Sequence, residues 1–206
     1  MSLPDFSIEQ EWLEKGASVL VGVDEVGRGP WAGPVVAAAV CLNPADLPVG
    51  ATDSKKLSAK KRLLLCEEIK QKAQWCIAEA SVEEIDKLNI REATLLAMTR
   101  AVEGLNLQVN HTFVDGNALP SALPSVTAEC VIKGDSKVLS IACASIIAKV
   151  YRDNLMASLA ADYPHFAWEK NAGYGTKAHQ QGLSEFGVTP HHRKSFKPIR
   201  ALLGQA

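Results

Sequence analysis

Two adjacent carboxylates follow a short apolar stretch near the amino terminus. Val19 to Val23 is predicted to be a buried strand that ends at Asp24 and Glu25, and the turn Gly27-Arg28-Gly29 comes soon after. Paired acids beside a flexible turn with accessible backbone N–H groups suit a hard divalent cation held against a phosphate. A lone Asp-Glu pair is more often a solvated turn, so this interpretation requires further ligands elsewhere in the chain.

Two other predicted strands also end in acids. Thr112–Val114 leads to Asp115, and Ala128–Ile132 leads to a turn that contains Asp135. Functional groups gather at strand ends in open α/β sheets. Four carboxylates that converge there repel one another unless divalent cations neutralise them. Oxygen ligands favour Mg²⁺ or Mn²⁺ over zinc, and two such ions about 4 Å apart can activate water for phosphodiester hydrolysis.

One geometric difficulty accompanies this prediction. Neighbouring residues of a strand point to opposite faces of the sheet. Asp24 and Glu25 can therefore share a site only if the strand ends or twists where they stand, which the glycines that follow permit.

Composition indicates an ordinary globular protein. The 206 residues are 47% hydrophobic and 22% charged, which excludes a disordered chain. No apolar run approaches a membrane span, no signal peptide begins the chain, and five scattered cysteines suggest reduced thiols, so we expect a cytoplasmic protein without a membrane partner. No surplus apolar stripe suggests a large interface, so we also expect a monomer. A net charge of −1 means that binding to nucleic acid needs a local basic patch. Candidates for it are Lys55, Lys56, Lys133, Lys137 and Arg193.

Hydrophobic periodicity predicts one α/β domain over residues 1–206. The continuous apolar run Pro34–Leu42 is expected to pair with the first strand as an antiparallel hairpin, since a glycine-rich turn joins them. Val138 to about Ala161 is predicted to be the longest helix, with a first half small and apolar enough to lie flat on a sheet. The other predictions are a lead-in over 1–16, helices at Ala59–Lys72, Val82–Leu88 and Ile90–Leu105, a strand at Trp75–Ala80, a loop at Asn117–Ser125, a last helix capped by Thr176, and a basic tail over about 188–206.

Six blocks of this sequence together resemble bacterial ribonuclease HII, the type 2 ribonuclease H. They occur in the family's order and cover roughly residues 20 to 196. The blocks are Gly22-Val-Asp-Glu-Val-Gly-Arg-Gly-Pro30, Asp53-Ser-Lys-Lys-Leu57, Val114-Asp-Gly116, Lys133-Gly-Asp-Ser-Lys137, Ala144-Ser-Ile-Ile-Ala-Lys-Val-Tyr-Arg-Asp153 and Gly173-Tyr-Gly-Thr176.

The resemblance implies an RNase H-like fold, with a mixed five-stranded sheet flanked by helices and a short helical C-terminal appendage. It implies an endonuclease that cuts the RNA strand of RNA–DNA hybrids, and cuts 5′ of single ribonucleotides in duplex DNA, leaving a 3′-hydroxyl and a 5′-phosphate. By motif, the metal-binding catalytic residues would be Asp24, Glu25, Asp115 and Asp135, with Mn²⁺ or Mg²⁺. Gly27, Arg28 and Gly29 would meet the 2′-hydroxyl, and Tyr174 would stack beside the next sugar.

The residues themselves are compatible with these roles. The 2′-hydroxyl is the group that distinguishes RNA from DNA, and glycines let main-chain groups approach it where a Cβ would intrude. An isolated tyrosine such as Tyr174 is more often a core residue, although its position between two glycines suits stacking. Among the lysines we retain Lys55 as substrate-binding, because it lies in a motif turn.

Two other functions stay open at this point. A different two-metal nuclease or strand-transferase on the same fold would share the four acids but not the two glycine-flanked motifs. A non-catalytic hybrid-binding module is less compatible, because a binder of polyanions gains nothing from concentrated negative charge. Several roles are also left open: Asp53 as a turn former, Asp153 as an ion-pairing residue or a support near the metals, His111, His165 and His179 as isolated structural or exposed residues, and His191-His192 as a nucleic-acid contact or an inert tail.

Overall fold

A computed structural model of the chain describes residues 3–121 and 127–204. Within them, the strands are β1 (Leu20–Val26), β2 (Val35–Leu42), β3 (Ala73–Ala80), β4 (His111–Asp115) and β5 (Thr127–Val131). The helices are α1 (Ser7–Glu14), α2 (Ala59–Lys72), α3 (Val82–Leu88), α4 (Ile90–Glu103), α5 (Leu139–Asp162), α6 (Trp168–Asn171), α7 (Lys177–Phe186) and α8 (Lys197–Leu202). Short 3₁₀ turns occupy Ser54–Lys56, Gly134–Ser136 and Pro164–Phe166.

The sheet is mixed and has five strands in the order β3-β2-β1-β4-β5. The hairpin prediction is confirmed, since β1 and β2 are antiparallel. β3 joins β2 antiparallel, while β4 and β5 run parallel to β1 and to each other. The carboxyl ends of β1, β4 and β5 therefore lie at the same end of the sheet, as the RNase H-like expectation requires. Of the predicted loop at Asn117–Ser125, residues 122–125 lie outside the described residues.

Helices cover both faces of the sheet. The apolar first half of α5 and the buried side of α2 pack on one face, and α4 packs on the other. A third cluster, around Phe166 and Trp168, joins the last three helices to the end of α5. None of the described helices combines the length and apolar character needed to cross a bilayer.

The long helix α5 receives its N-terminal cap from the lead-in. Val138, at the N-cap position, contributes no side-chain hydrogen bond. Instead the fully buried Glu9 of α1 accepts a 2.8 Å hydrogen bond from the Ser140 N–H. A carboxylate at a helix N-terminus satisfies a backbone donor and interacts favourably with the helix dipole. The lead-in thus fixes the end of α5 that packs under β1.

Candidate active site

The first two acids lie inside β1, so the prediction that the strand ends at Val23 is wrong. Pairing with β2 continues through Asp24, opposite Ala38, and Glu25, opposite Ala37, to Val26. The strand continues because β2 supplies apolar partners along this whole length, and the glycine turn begins only afterwards. Regular pairing keeps the alternation of side chains, so the two acids leave opposite faces of the sheet.

The two faces can be identified from packing. A Cβ built on Gly22 would lie 2.3 Å from the backbone nitrogen of Ile141 in α5, so Gly22 and its alternate neighbour Asp24 face α5. Val23 belongs to the core cluster of α4, and Glu25 lies on that side. Both acids nevertheless reach one cleft, because they stand near the end of the strand.

This cleft, of about 150 Å³, brings together every residue that the sequence predicted for the site. The residues come from β1 and its following turn, from the first 3₁₀ turn, from the end of β4, from the second 3₁₀ turn and from the turn before α7. They are Asp24, Glu25, Gly27, Arg28, Gly29, Lys55, Asp115, Asp135 and Tyr174.

Burial and mutual repulsion characterise the acids in the cleft. Desolvation raises the pKa of Asp24 well above its ordinary value, and the charges of Glu25 and Asp115 raise it further. Burial also raises the pKa of Glu25, while Arg28 opposes that rise. For Asp135, desolvation and then the charges of Asp53 and Asp115 raise the pKa. The cleft therefore concentrates negative charge that the protein only partly compensates.

Backbone donors hold two of the carboxylates in place. Asp24 Oδ1 accepts a 2.7 Å hydrogen bond from the Glu25 N–H, and Asp115 Oδ1 accepts a 2.6 Å bond from the Gly134 N–H. Arg28, with a half-exposed side chain, lies 3.4 Å from Glu25 Oε1. Main-chain contacts thus orient Asp24 and Asp115, whereas the partner of Glu25 is a long, exposed side chain, and such contacts are weak.

The donor chemistry of the cleft fits a hard divalent cation. Carboxylate oxygens are the ligands that Mg²⁺ and Mn²⁺ prefer, and the raised pKa of buried Asp24 reflects charge that a cation would relieve. In the described part of the chain, however, no three acidic, histidine or cysteine side chains are arranged so that they could hold an ion together. The ligand types fit a metal, and the side chains would have to close around it.

Two serines in the cleft were missed from the sequence. The buried hydroxyl oxygens of Ser54 and Ser145 lie 3.0 Å apart, and a hydrogen bond from Ser145 lowers the pKa of Asp24. Both serines stand inside the motif blocks quoted above, which was the available signal. Their contact ties the first 3₁₀ turn to α5 beneath the acids.

The residues of the predicted basic patch do not lie together at the cleft. Lys55 lines the cleft, and Lys56, Lys133 and Lys137 are exposed. Arg193 contradicts its prediction as a phosphate contact, because it is fully buried. Its guanidinium donates to the carbonyl oxygens of Gly27, Arg28 and Gly33, the turn that follows β1. These three carbonyl acceptors, two buried and one partly buried, explain why Arg193 lies inside the protein.

The histidine predictions also need correction. His179 is structural as expected, but it is not isolated: its Nε2 lies 2.9 Å from Nε2 of His192. His192 is fully buried, so it is neither a nucleic-acid contact nor part of an inert tail. Asp153 pairs with Lys149 and Arg62, and Asp53 accepts from the Lys55 N–H as a turn-forming residue does.

Comparison with known proteins gives the family and related folds. The ribonuclease HII family model matches residues 21–199. A ribonuclease HII of Magnetococcus marinus is 56% identical over 204 residues, covering 97% of this chain and 95% of that protein. Ribonuclease H2 of Pyrococcus horikoshii superposes with a TM-score of 0.78 at 23% identity, covering 91% of this chain and 98% of that one. Bst ribonuclease HIII in complex with Mn²⁺ gives a TM-score of 0.72 at 18% identity, over 91% and 70% of the two chains.

The last two structures, at below 25% identity, share the fold. The family match extends over most of the chain, beyond the tail residues His192 and Arg193, and the identity to the bacterial relative is more than half. This chain therefore belongs to the ribonuclease HII family, whose members are ribonuclease H endonucleases.

Proposed function

We propose that this ribonuclease H hydrolyses the RNA strand of RNA–DNA hybrids with two divalent cations, Mg²⁺ or Mn²⁺, and also cuts 5′ of single ribonucleotides embedded in duplex DNA. The observation that carries the proposal is the convergence of four acids, the Gly27–Gly29 turn and Tyr174 on one cleft. The Mn²⁺ bound by Bst ribonuclease HIII, which shares this fold, supports a divalent cation.

The four carboxylates would hold the cations. Asp24 and Asp115 are already oriented by backbone N–H groups, while Glu25 contacts Arg28 through one oxygen at 3.4 Å, a weak contact that a cation could displace. When bound, such ions lower the pKa of water and stabilise the leaving oxygen of a phosphodiester. The cleavage products expected from this chemistry are a 3′-hydroxyl and a 5′-phosphate.

The turn after β1 and the Tyr174 ring would recognise the ribonucleotide. Gly29 allows a close approach, since a Cβ built there would lie 3.2 Å from Tyr174 Cε1. Backbone groups of Gly27 and Gly29 can then meet a 2′-hydroxyl, the group that marks RNA. The Tyr174 ring, half exposed, is free to stack on the following deoxyribose. Lys55 and Arg28 would contact phosphates, with a salt dependence typical of such contacts.

An end-labelled DNA duplex with one ribonucleotide tests the proposal. We expect cleavage on the 5′ side of the ribonucleotide with Mg²⁺ or Mn²⁺ and none with EDTA. Asp115→Asn should abolish turnover while retaining substrate binding, and Asp162→Asn, which changes an exposed acid at the end of α5, should cleave as the wild type does. Equal cleavage by the Asp115 variant would overturn the metal site, and cleavage of long hybrids alone would overturn ribonucleotide reading.

A further inference from the structure

Three distant segments meet behind the proposed ribonucleotide-reading surface. The Trp31 N–H donates to Gly173 O at 2.8 Å, and the Arg193 N–H donates to Trp31 O at 2.8 Å. Ala32 also forms an isolated antiparallel bridge with His192. The turn after β1, the turn that carries Tyr174 and the C-terminal segment therefore form one hydrogen-bonded unit, although they are far apart in sequence.

Two buried histidines extend this unit to Tyr174, and their hydrogen bonds fix both tautomers. The Thr189 N–H donates to Nδ1 of His192 at 2.9 Å, so that nitrogen carries no proton. In the neutral ring the proton is then on Nε2, which faces Nε2 of His179 at 2.9 Å. His179 must accept there, so its proton lies on Nδ1 and is donated to the Tyr174 carbonyl oxygen at 3.0 Å. One directed chain thus runs from Thr189 to Tyr174.

The surroundings favour the neutral form of both rings. Both histidines are fully buried, and Phe166 and Trp168 pack against them. The Trp168 Nε1–H also points at Nε2 of His179, at 3.2 Å. A proton added to either ring would face a donor that already occupies that nitrogen. Desolvation accordingly lowers the pKa of both rings, that of His192 to about 4.

We propose that His179 and His192 are positioning residues that hold the backbone of Tyr174, and so set the distance between its ring and the Gly27–Gly29 turn. The proposal rests on the proposed role of Tyr174 in reading the ribonucleotide. The close packing of the Tyr174 ring on Gly29 makes this distance sensitive, because a single added Cβ would already crowd it. The side chain itself is half exposed, so its placement depends on its backbone.

The His179–Tyr174 bond can be removed and partly restored by substitution. His179→Phe keeps a planar ring and removes both the Nδ1–H donor and the Nε2 acceptor of His192 and Trp168. His179→Asn places an amide N–H near the position of Nδ1. His165→Asn is the matched control, because His165 is an exposed histidine of the same region that stacks on Phe186. The readouts are kcat and KM on a single-ribonucleotide duplex and on a long hybrid, with the melting temperature of each variant.

We expect His179→Phe to lower kcat/KM on the single-ribonucleotide substrate about tenfold, the usual worth of one buried hydrogen bond, with a smaller loss on the long hybrid. His179→Asn should recover part of this loss. In a Tyr174→Ala background His179→Phe should have little further effect on cleavage, because the hydrogen bond to the backbone remains possible there but no ring is left for it to position. ¹⁵N shifts of the wild-type imidazoles should give an Nδ1–H tautomer for His179 and an Nε2–H tautomer for His192.

Failure of the two proposals can be distinguished. A wild-type enzyme that ignores single ribonucleotides would refute the proposed function. If the wild-type enzyme does cut them, two results would overturn the positioning role. One is a His179→Phe variant that keeps the wild-type preference between the two substrates. The other is an equally large loss of kcat/KM when His179→Phe is added to Tyr174→Ala. Opposite tautomers would also overturn it, without any variant having to fold.

Discussion

Arg193 provides the sharpest test of how the structure differs from the sequence prediction. We consider Arg193→Met, which keeps a long aliphatic side chain and removes the guanidinium. The three carbonyl oxygens of Gly27, Arg28 and Gly33 then lose a charged donor. Each buried acceptor left without a partner costs about 1–3 kcal/mol. The three together therefore represent at most about 3–9 kcal/mol, and the partly buried Arg28 oxygen contributes least because water can reach it.

An opposing contribution reduces this cost. Desolvation lowers the pKa of Arg193 to about 9, which shows that its charge is buried at a penalty. The penalty for a buried ion is several kcal/mol, and the substitution removes it. We therefore expect a net loss of about 3 kcal/mol in the free energy of unfolding. For a chain of this size that corresponds to a decrease of about 6–12 °C in the melting temperature.

Denaturation and substrate binding together provide the assay. Arg200→Met is the matched control, since Arg200 is an exposed arginine of α8, and surface substitutions usually change stability by less than about 0.5 kcal/mol. If Arg193 contacted phosphate instead, its variant would keep its stability and lose about one unit from the slope of log K against log salt concentration. Unchanged stability with a reduced slope would refute the interpretation that Arg193 stabilises the turn after β1 from inside the protein.

Three further changes test the site and its frame. Asp24→Asn should abolish turnover and, in EDTA, raise the free energy of unfolding by at least about 1 kcal/mol, since it removes a buried charge repelled by its neighbours. Cleavage assays measure the turnover and thermal melting measures the stability. A lower stability of the variant in EDTA would contradict this account. The folded-state pKa of His192, about 4, lies below its ordinary value, so wild-type stability should fall by up to about 3 kcal/mol as the pH decreases from 6.5 to 4. His192→Phe should lack that component in urea titrations at each pH, and parallel curves for the two proteins would argue against it. Gly22→Ala should lose more than about 3 kcal/mol or fail to fold, because its Cβ would lie 2.3 Å from the Ile141 backbone nitrogen; a normal denaturation midpoint would show that α5 can move away from β1.

The strand framework was predictable because its signals are local. Continuous apolar runs gave β1 and β2, and acids at the ends of predicted strands gave Asp115 and Asp135 as neighbours of Asp24 and Glu25. The full extent of β1 was not predictable, because an acidic residue after an apolar stretch normally indicates that the strand has ended. Only the partner strand, with Ala37 and Ala38 opposite the two acids, shows that pairing continues through them.

The C-terminal segment was misjudged for a different physical reason. His192 and Arg193 stand in a basic run without apolar periodicity, and such a run normally indicates a solvated surface. Their burial depends on acceptors that are not neighbours in sequence: the carbonyl oxygens after β1 for Arg193, and the His179 ring for His192. The turn after β1 ends in an irregular stretch whose carbonyls lack ladder partners, and buried carbonyls require donors. Arg193 of the tail donates to three of these carbonyls, and Arg152 of α5 donates to those of Ala32 and Pro34. The C-terminal appendage is therefore also part of the frame of the cleft.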